Sequence, residues 1–328
     1  MTGAGNTGRS AIPFQPTWLV EDMREVEDLL MSTAASSVHP LVSESSTHLI
    51  KAGGKRLRPA LVVICSRAGE PGRRATYQAA SGIELIHLAS LYHDDVIDET
   101  ETRRGVPTAH SKWGVEVAVL AGDFLFATGC ALGAQAGGEV PLLIAAALAE
   151  VCEGQIVETE SVGDPHRSVE EYFETIKRKT AALFRASCEL GVVTSGADPK
   201  LRPHLVTFGE KLGIAFQLVD DLLDLSGDPE ITGKAPGTDL REGVFTMPVL
   251  LAAEREPRLR GMLSDGQRSL ETVMPLLEGT GAIAEAADSA RRYGEEARAA
   301  LSQLPPGEWR ETLAGMVDGI LDQVPELT

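Results

Sequence analysis

The chain has 328 residues, 43% hydrophobic and 24% charged, which excludes a disordered tail and a disulfide-stapled miniprotein. Its 48 acidic against 30 basic residues leave a formal charge of −18, which repels a phosphate backbone and argues against a nucleic-acid partner. Cys65, Cys130, Cys152 and Cys188 form no CxxC pair and lie in apolar or helical stretches, the pattern of reduced thiols in a cytoplasmic protein.

Residues 1–16 are rich in Gly, Thr, Ser and Pro, with no apolar segment after a basic start, and read as a flexible arm rather than a signal peptide. From Thr17 onward the apolar residues recur at three and four, so residues 17–328 read as a single all-helical domain. Helices are expected near 18–33, 38–51, 57–69, 74–99, 114–136, 140–160, 168–195, 199–226, 241–254, 264–275, 280–301 and 307–323. Breakers fall at Glu70-Pro71-Gly72, Gly105-Val106-Pro107, Gly137-Gly138 and Asp228 to Gly237. The longest apolar run, Val140 to Ala149, ends at Glu150 and is about half a bilayer span, which predicts a soluble chain with transient contact at a membrane surface left open.

The first chemical motif in chain order is Lys51–Pro59, KAGGKRLRP, where Lys55, Arg56 and Arg58 stand beside two glycines. Glycines let the backbone approach oxygen atoms and the cations supply charge-assisted hydrogen bonds, so the segment suits a phosphate. Next come Asp94-Asp95-Val96-Ile97-Asp98 and, 126 residues later, Asp220-Asp221-Leu222-Leu223-Asp224, both DDxxD. On an ideal helix the three aspartates of each motif stand at about 0°, 100° and 40°, crowding like charges on one face. That arrangement destabilises a bare helix and calls for hard divalent cations, which take oxygen ligands from one or two carboxylates and from a substrate's phosphates. His87 and Gln217 fall on the carboxylate side of the same two helices. Further cations stand at Arg103-Arg104-Gly105, at Lys177–Thr180 and at Lys234 in Gly233–Gly243, GKAPGTDLREG.

Taken in this order, GGKRLRP, HDDVIDETETRRG, AGDFLF, the Lys179-Thr180 pair, FQLVDDLLD and GKAPGTDLREG strongly resemble the trans-isoprenyl (polyprenyl) diphosphate synthases, from about Lys51 through Pro248. The resemblance implies an all-α, isoprenoid synthase type helical bundle around a deep central cavity, usually in a homodimer. It implies an Mg²⁺-dependent prenyltransferase, with several ions per site, that condenses isopentenyl diphosphate with an allylic diphosphate. By motif position, Lys55, Arg58, His87 and Arg104 would bind isopentenyl diphosphate. Arg103, Lys179, Thr180, Gln217 and Lys234 would meet the allylic diphosphate. Asp94, Asp98 and Asp220 would ligate Mg²⁺ directly, with Asp95, Asp221 and Asp224 as further ligands or supports. The catalytic set is then Asp94, Asp95, Asp98, Arg103, Lys179, Asp220, Asp221 and Lys234.

Ala89 and Ser90, about one turn before Asp94, occupy positions where short-chain members of that family carry bulky residues. Their small size points to a product of about thirty carbons or more, because each added CH₂ brings about 0.8 kcal/mol of burial. A geranylgeranyl (C20) synthase is the near alternative. A terpene cyclase has no use for a second diphosphate site, and a non-catalytic subunit is expected to have lost aspartates that this chain keeps.

Overall fold

The structure, a computed structural model, describes residues 15–226 and 236–325. The arm expected at 1–16 therefore lies, save Gln15 and Pro16, outside the described residues, as does Lys234. Helices dominate: α1 (Thr17–Ala34), α2 (Pro40–Ser46), α3 (His48–Lys51), α4 (Leu57–Ser66), α5 (Arg74–Ile97), α6 (Ala109–Trp113), α7 (Val115–Ala136), α8 (Val140–Glu160) and α9 (Val169–Ile176). They continue as α10 (Ala182–Ser195), α11 (Arg202–Ser226), α12 (Thr238–Glu242), α13 (Met247–Arg255), α14 (Pro257–Ser264), α15 (Leu270–Thr280), α16 (Ala282–Leu301) and α17 (Glu308–Leu321).

The bundle is built around the most apolar helices. In α4 every residue but Arg58 is buried, so this helix threads the core and sends one cation out of it. Helix α5 packs lengthwise on α7, α10 packs on α4 and α11, and α11 packs on α16. Small residues permit the close approaches: a Cβ at Gly154 would stand 2.5 Å from the backbone nitrogen of Lys179, so α8 can lie against the Lys179 turn only without a side chain there. Two apolar clusters result, one along α4, α10, α11 and α16, the other between α1, α3, α5 and α7.

Three local departures from the sequence reading bear on function. The stretch expected as one helix over 168–195 is interrupted by a π turn at Lys177–Ala181, which a 3.6-residue apolar period does not reveal. The breaker near Gly105 is a two-stranded antiparallel hairpin, Thr102–Arg103 with Val106–Pro107. Its two-residue turn, Arg104-Gly105, has both φ angles positive (53° and 74°), as a type I′ hairpin requires. Near the C-terminus, the helix expected at 264–275 is replaced by α14 and α15, because Pro257 starts one helix and Pro275 is accommodated inside the other.

Helices α7 and α8 are each long and apolar enough to cross a membrane by length and composition, although only 39% and 28% of their apolar windows are buried. The sequence reading, which followed the uninterrupted run to Ala149, underestimated both. Their uncovered side carries Leu120 (63% exposed), Leu142 (71%) and Ile156 (60%).

Candidate active site

Helix α5 ends at the first aspartate cluster, and the three carboxylates part company there. Asp94 is half-buried, and burial, assisted by the neighbouring Asp98 and opposed by Lys179 and Arg103, pushes its pKa up to about 6. Asp95 turns inward and accepts a 2.6 Å bond from Arg103 Nε. Asp98 caps the helix and is exposed, its N–H bonded to the Asp94 carbonyl at 2.8 Å.

The second cluster lies on α11, which continues past it to Ser226. Asp220 is exposed, whereas Asp221 is buried and held by two neutral donors, Gln217 Nε2 at 2.8 Å and the Tyr172 hydroxyl. Burial raises the Asp221 pKa to about 7, with Asp220 and Glu158 adding to the rise against those two hydrogen bonds. Asp224 is also buried; its oxygens accept from the N–H groups of Thr238 (3.1 Å) and Asp239 (3.3 Å) and so anchor the start of α12.

A lysine stands beside the first cluster. Lys179, presented by the π turn, pairs with Glu158 on α8. Burial alone would lower the Lys179 pKa, but Glu158, Asp94 and Asp98 outweigh it and hold the ammonium above its usual value. Glu158 acts on Asp94 and on Asp221, so one carboxylate of α8 is within electrostatic reach of both clusters. Thr180 and Gln217, expected at the allylic diphosphate, are bonded to each other at 2.7 Å, and Gln217 in turn to Asp221.

On the other side, the glycine-rich loop gathers arginines. A Cβ at Gly54 would come within 2.9 Å of the guanidinium groups of both Arg56 and Arg104, so only glycine lets them converge there. Arg56 is held by Glu27 (2.9 and 3.0 Å) and by buried Glu84 (3.2 Å), which makes it a structural cation. Arg58 lies 5.0 Å over the Phe184 ring with Nε buried and unbonded; burial lowers its pKa to about 10, with Arg104 adding to the drop and Glu84 opposing it. Arg104 Nη1 donates to the carbonyls of Leu49 (3.1 Å) and Gly53. Arg103, the last strand residue, and Arg104, the first turn residue with its positive φ, thus diverge, one toward Asp95 and one toward the basic loop. His87 faces this group, and burial together with Arg58, Arg104, Arg103 and Arg56 holds its pKa well below the usual range. It is a neutral imidazole at pH 7. Lys55 is exposed and bonded to Gln323 beyond α17 (3.1 Å), away from a carboxylate partner.

The chain-length positions separate. Ala89 is fully buried among Leu85, Leu88, Tyr92, Ala118 and Leu125 in the contact between α5 and α7. Ser90 is half-buried on the Asp94 side, its hydroxyl bonded to the His87 carbonyl at 2.8 Å. Sequence reading passed over Glu84, Glu158 and Tyr172. Glu84 had a signal, a lone acid inside the apolar run Ile83–Leu88, and Glu158 stands one turn after Gly154. Tyr172 had none.

Among the described residues no three acidic or sulfur and imidazole ligands converge tightly enough to hold an ion unaided. The donors that do face the site are hard carboxylate oxygens, and Asp94 sits near Asp98 and Glu158 with its charge only partly offset. That set fits a divalent cation shared with substrate oxygens, the usual manner of Mg²⁺.

Comparison with known proteins agrees with this geometry. The family described as "Polyprenyl synthetase" matches residues 39–278. A nonaprenyl diphosphate synthase of Mycobacterium tuberculosis is 39% identical over 297 residues, covering 88% of this chain and 89% of its own length. The crystal structure of a decaprenyl diphosphate synthase from Rhodobacter capsulatus superposes with a TM-score of 0.89 at 36% identity, covering 94% of this chain and 98% of that one. A polyprenyl synthase from Caulobacter crescentus, complexed with calcium and isoprenyl diphosphate, gives 0.88 at 35% identity, covering 94% and 96%.

Proposed function

The chain belongs to the polyprenyl synthetase family, and we propose that it lengthens an allylic diphosphate with isopentenyl diphosphate to an all-trans polyprenyl diphosphate of about C30 or longer, an apolar tail whose burial favours extension. The observation that carries this reading is the pair of aspartate clusters within reach of one shared carboxylate, Glu158, which is paired with Lys179 beside the first cluster, with an arginine group on the loop before α4.

In this reading Asp94, Asp98 and Asp220 would hold Mg²⁺, with Asp95, Asp221 and Asp224 as further ligands or supports. The metal, when bound, supplies positive charge to the departing diphosphate. Arg103 and Lys179 bind the allylic diphosphate and stabilise the negative charge that grows on it as the C–O bond breaks. Arg58, Arg104, neutral His87 and Lys55 bind isopentenyl diphosphate, so its double bond is aimed at the allylic carbon. A C–C bond forms, and one proton leaves to the released diphosphate. The apolar residues around the site exclude the water that would quench the cation.

The exposed apolar side of α7 and α8 supports a homodimer in which a second copy of this chain covers Leu120, Leu142 and Ile156. The decisive experiment incubates the purified protein with Mg²⁺, radiolabelled isopentenyl diphosphate and allylic primers of two to four isoprene units, then sizes the dephosphorylated products. Extension past twenty carbons supports the assignment; a C20 stop corrects the length, and no extension of any primer removes the function.

A further inference from the structure

The two DDxxD motifs are equal in sequence and unequal in surroundings. The second aspartate of each is buried, but Asp95 is bonded to a cation, Arg103, while Asp221 is bonded, among the described residues, only to neutral groups. Its two oxygens are gripped from opposite sides. Thr180 Oγ1 donates to Gln217 Oε1 (2.7 Å), which fixes the amide so that Nε2 donates to Asp221 Oδ1 (2.8 Å). The Tyr172 hydroxyl donates to Oδ2. Tyr172 is itself buried, 3% exposed, with its ring edge-on to Phe173 at 5.5 Å. Neutral donors orient a carboxylate without cancelling its charge, whereas an arginine does both.

We propose that Tyr172 is a positioning residue for the second aspartate cluster: its hydroxyl, opposed by the Thr180–Gln217 pair, clamps Asp221 without pairing it to a cation, which leaves it to a divalent cation at Asp220 and Asp221. The inference rests on the reading above, that these clusters hold cations for a diphosphate. Tyr172 is on α9 and Thr180 in the π turn that also presents Lys179, so the same clamp ties the allylic side of the site to the second cluster. Residues that orient metal ligands in this way typically cost 10–100-fold in metal affinity when removed.

Tyr172→Phe tests the hydroxyl alone, since the ring and its packing stay. Wild type and variant are titrated with MgCl₂ by calorimetry in the presence of an unreactive allylic thiolodiphosphate, with unfolding of both followed in EDTA. The expected result is a roughly tenfold higher Mg²⁺ concentration at half-saturation, with the KM for isopentenyl diphosphate within about twofold of wild type. Thr180→Val cuts the opposite arm and should shift the metal dependence in the same direction, which keeps the test open if Tyr172→Phe folds poorly. An unchanged or tighter metal dependence in both variants overturns the proposal. So does a parallel rise in the isopentenyl diphosphate KM, which would mark general loosening. If wild type itself shows no metal-dependent binding of the analogue, the functional reading falls and this inference with it; normal wild-type binding with unaltered variants removes Tyr172 alone.

Discussion

Replacing Ser90 with phenylalanine is expected to shorten the product, and the same change at Ala89 is expected to act on stability instead. Ser90 stands half-buried one turn before Asp94, and its hydroxyl makes only a local bond to the His87 carbonyl. In the proposed function the growing tail leaves along the metal side of α5, and a phenyl ring at this position would take up its room. Denying room to one five-carbon unit costs the longer product about 4 kcal/mol, at about 0.8 kcal/mol for each carbon buried, or roughly a thousandfold in product ratio. Ala89 is fully enclosed between α5 and α7, where an added ring overpacks the contact and costs about 1–3 kcal/mol. In a chain of this size that amounts to a fall in melting temperature of about 1.5–4 °C. Radio-thin-layer chromatography of dephosphorylated products reads the first effect and scanning calorimetry the second. Wild-type product lengths from Ser90→Phe, or shortened products from an undiminished Ala89→Phe, would refute the assignment of the path to the Ser90 side.

Arg56→Ala should destabilise the fold by about 3 kcal/mol, since it strands Glu84 and frees Glu27, while Arg58→Ala should raise the isopentenyl diphosphate KM about 10–100-fold; steady-state kinetics beside urea unfolding distinguishes the two roles. Metal-free protein should lose stability as pH rises. The folded state binds protons at Asp94 and Asp221 more tightly than the unfolded chain, so this contribution is complete below about pH 4 and is lost through about 6 and 7, on the order of a few kcal/mol in all. Calorimetry in EDTA between pH 5 and 8 should show that slope in wild type and not in Asp94→Asn/Asp221→Asn; equal slopes count against it. Leu120→Glu combined with Ile156→Glu should give monomers by light scattering, and an intact dimer would place the subunit contact elsewhere.

Much of the site was legible because its signals are periodic. The ideal helix angles already separate the second aspartate of each motif, at about 100°, from the other two, and Asp95 and Asp221 are the most deeply buried of the six. Motif periodicity does not reveal where a helix stops. Asp98 is exposed because α5 ends at Ile97, while its counterpart Asp224 is buried because α11 runs two residues further. The π turn and the hairpin escaped for a related reason, since each changes the phase or type of backbone without altering the spacing of apolar residues. Glu158 and Tyr172 belong to no motif; only the packing of α8 and α9 against the π turn and α11 brings them to the aspartates.

The surplus residue in the turn at Lys177–Ala181 acts as a phase shifter between two neighbouring helices. Deleting it would regularise the backbone, yet would twist one flank by about 100° relative to the other. Either Lys179 and Thr180 would swing off the reacting side, or α10 would withdraw Phe184 and Cys188 from the hydrophobic interior they now fill. Natural variation in the length of this stretch should therefore be rare, and loop-shortening schemes for thermostabilisation should leave it untouched.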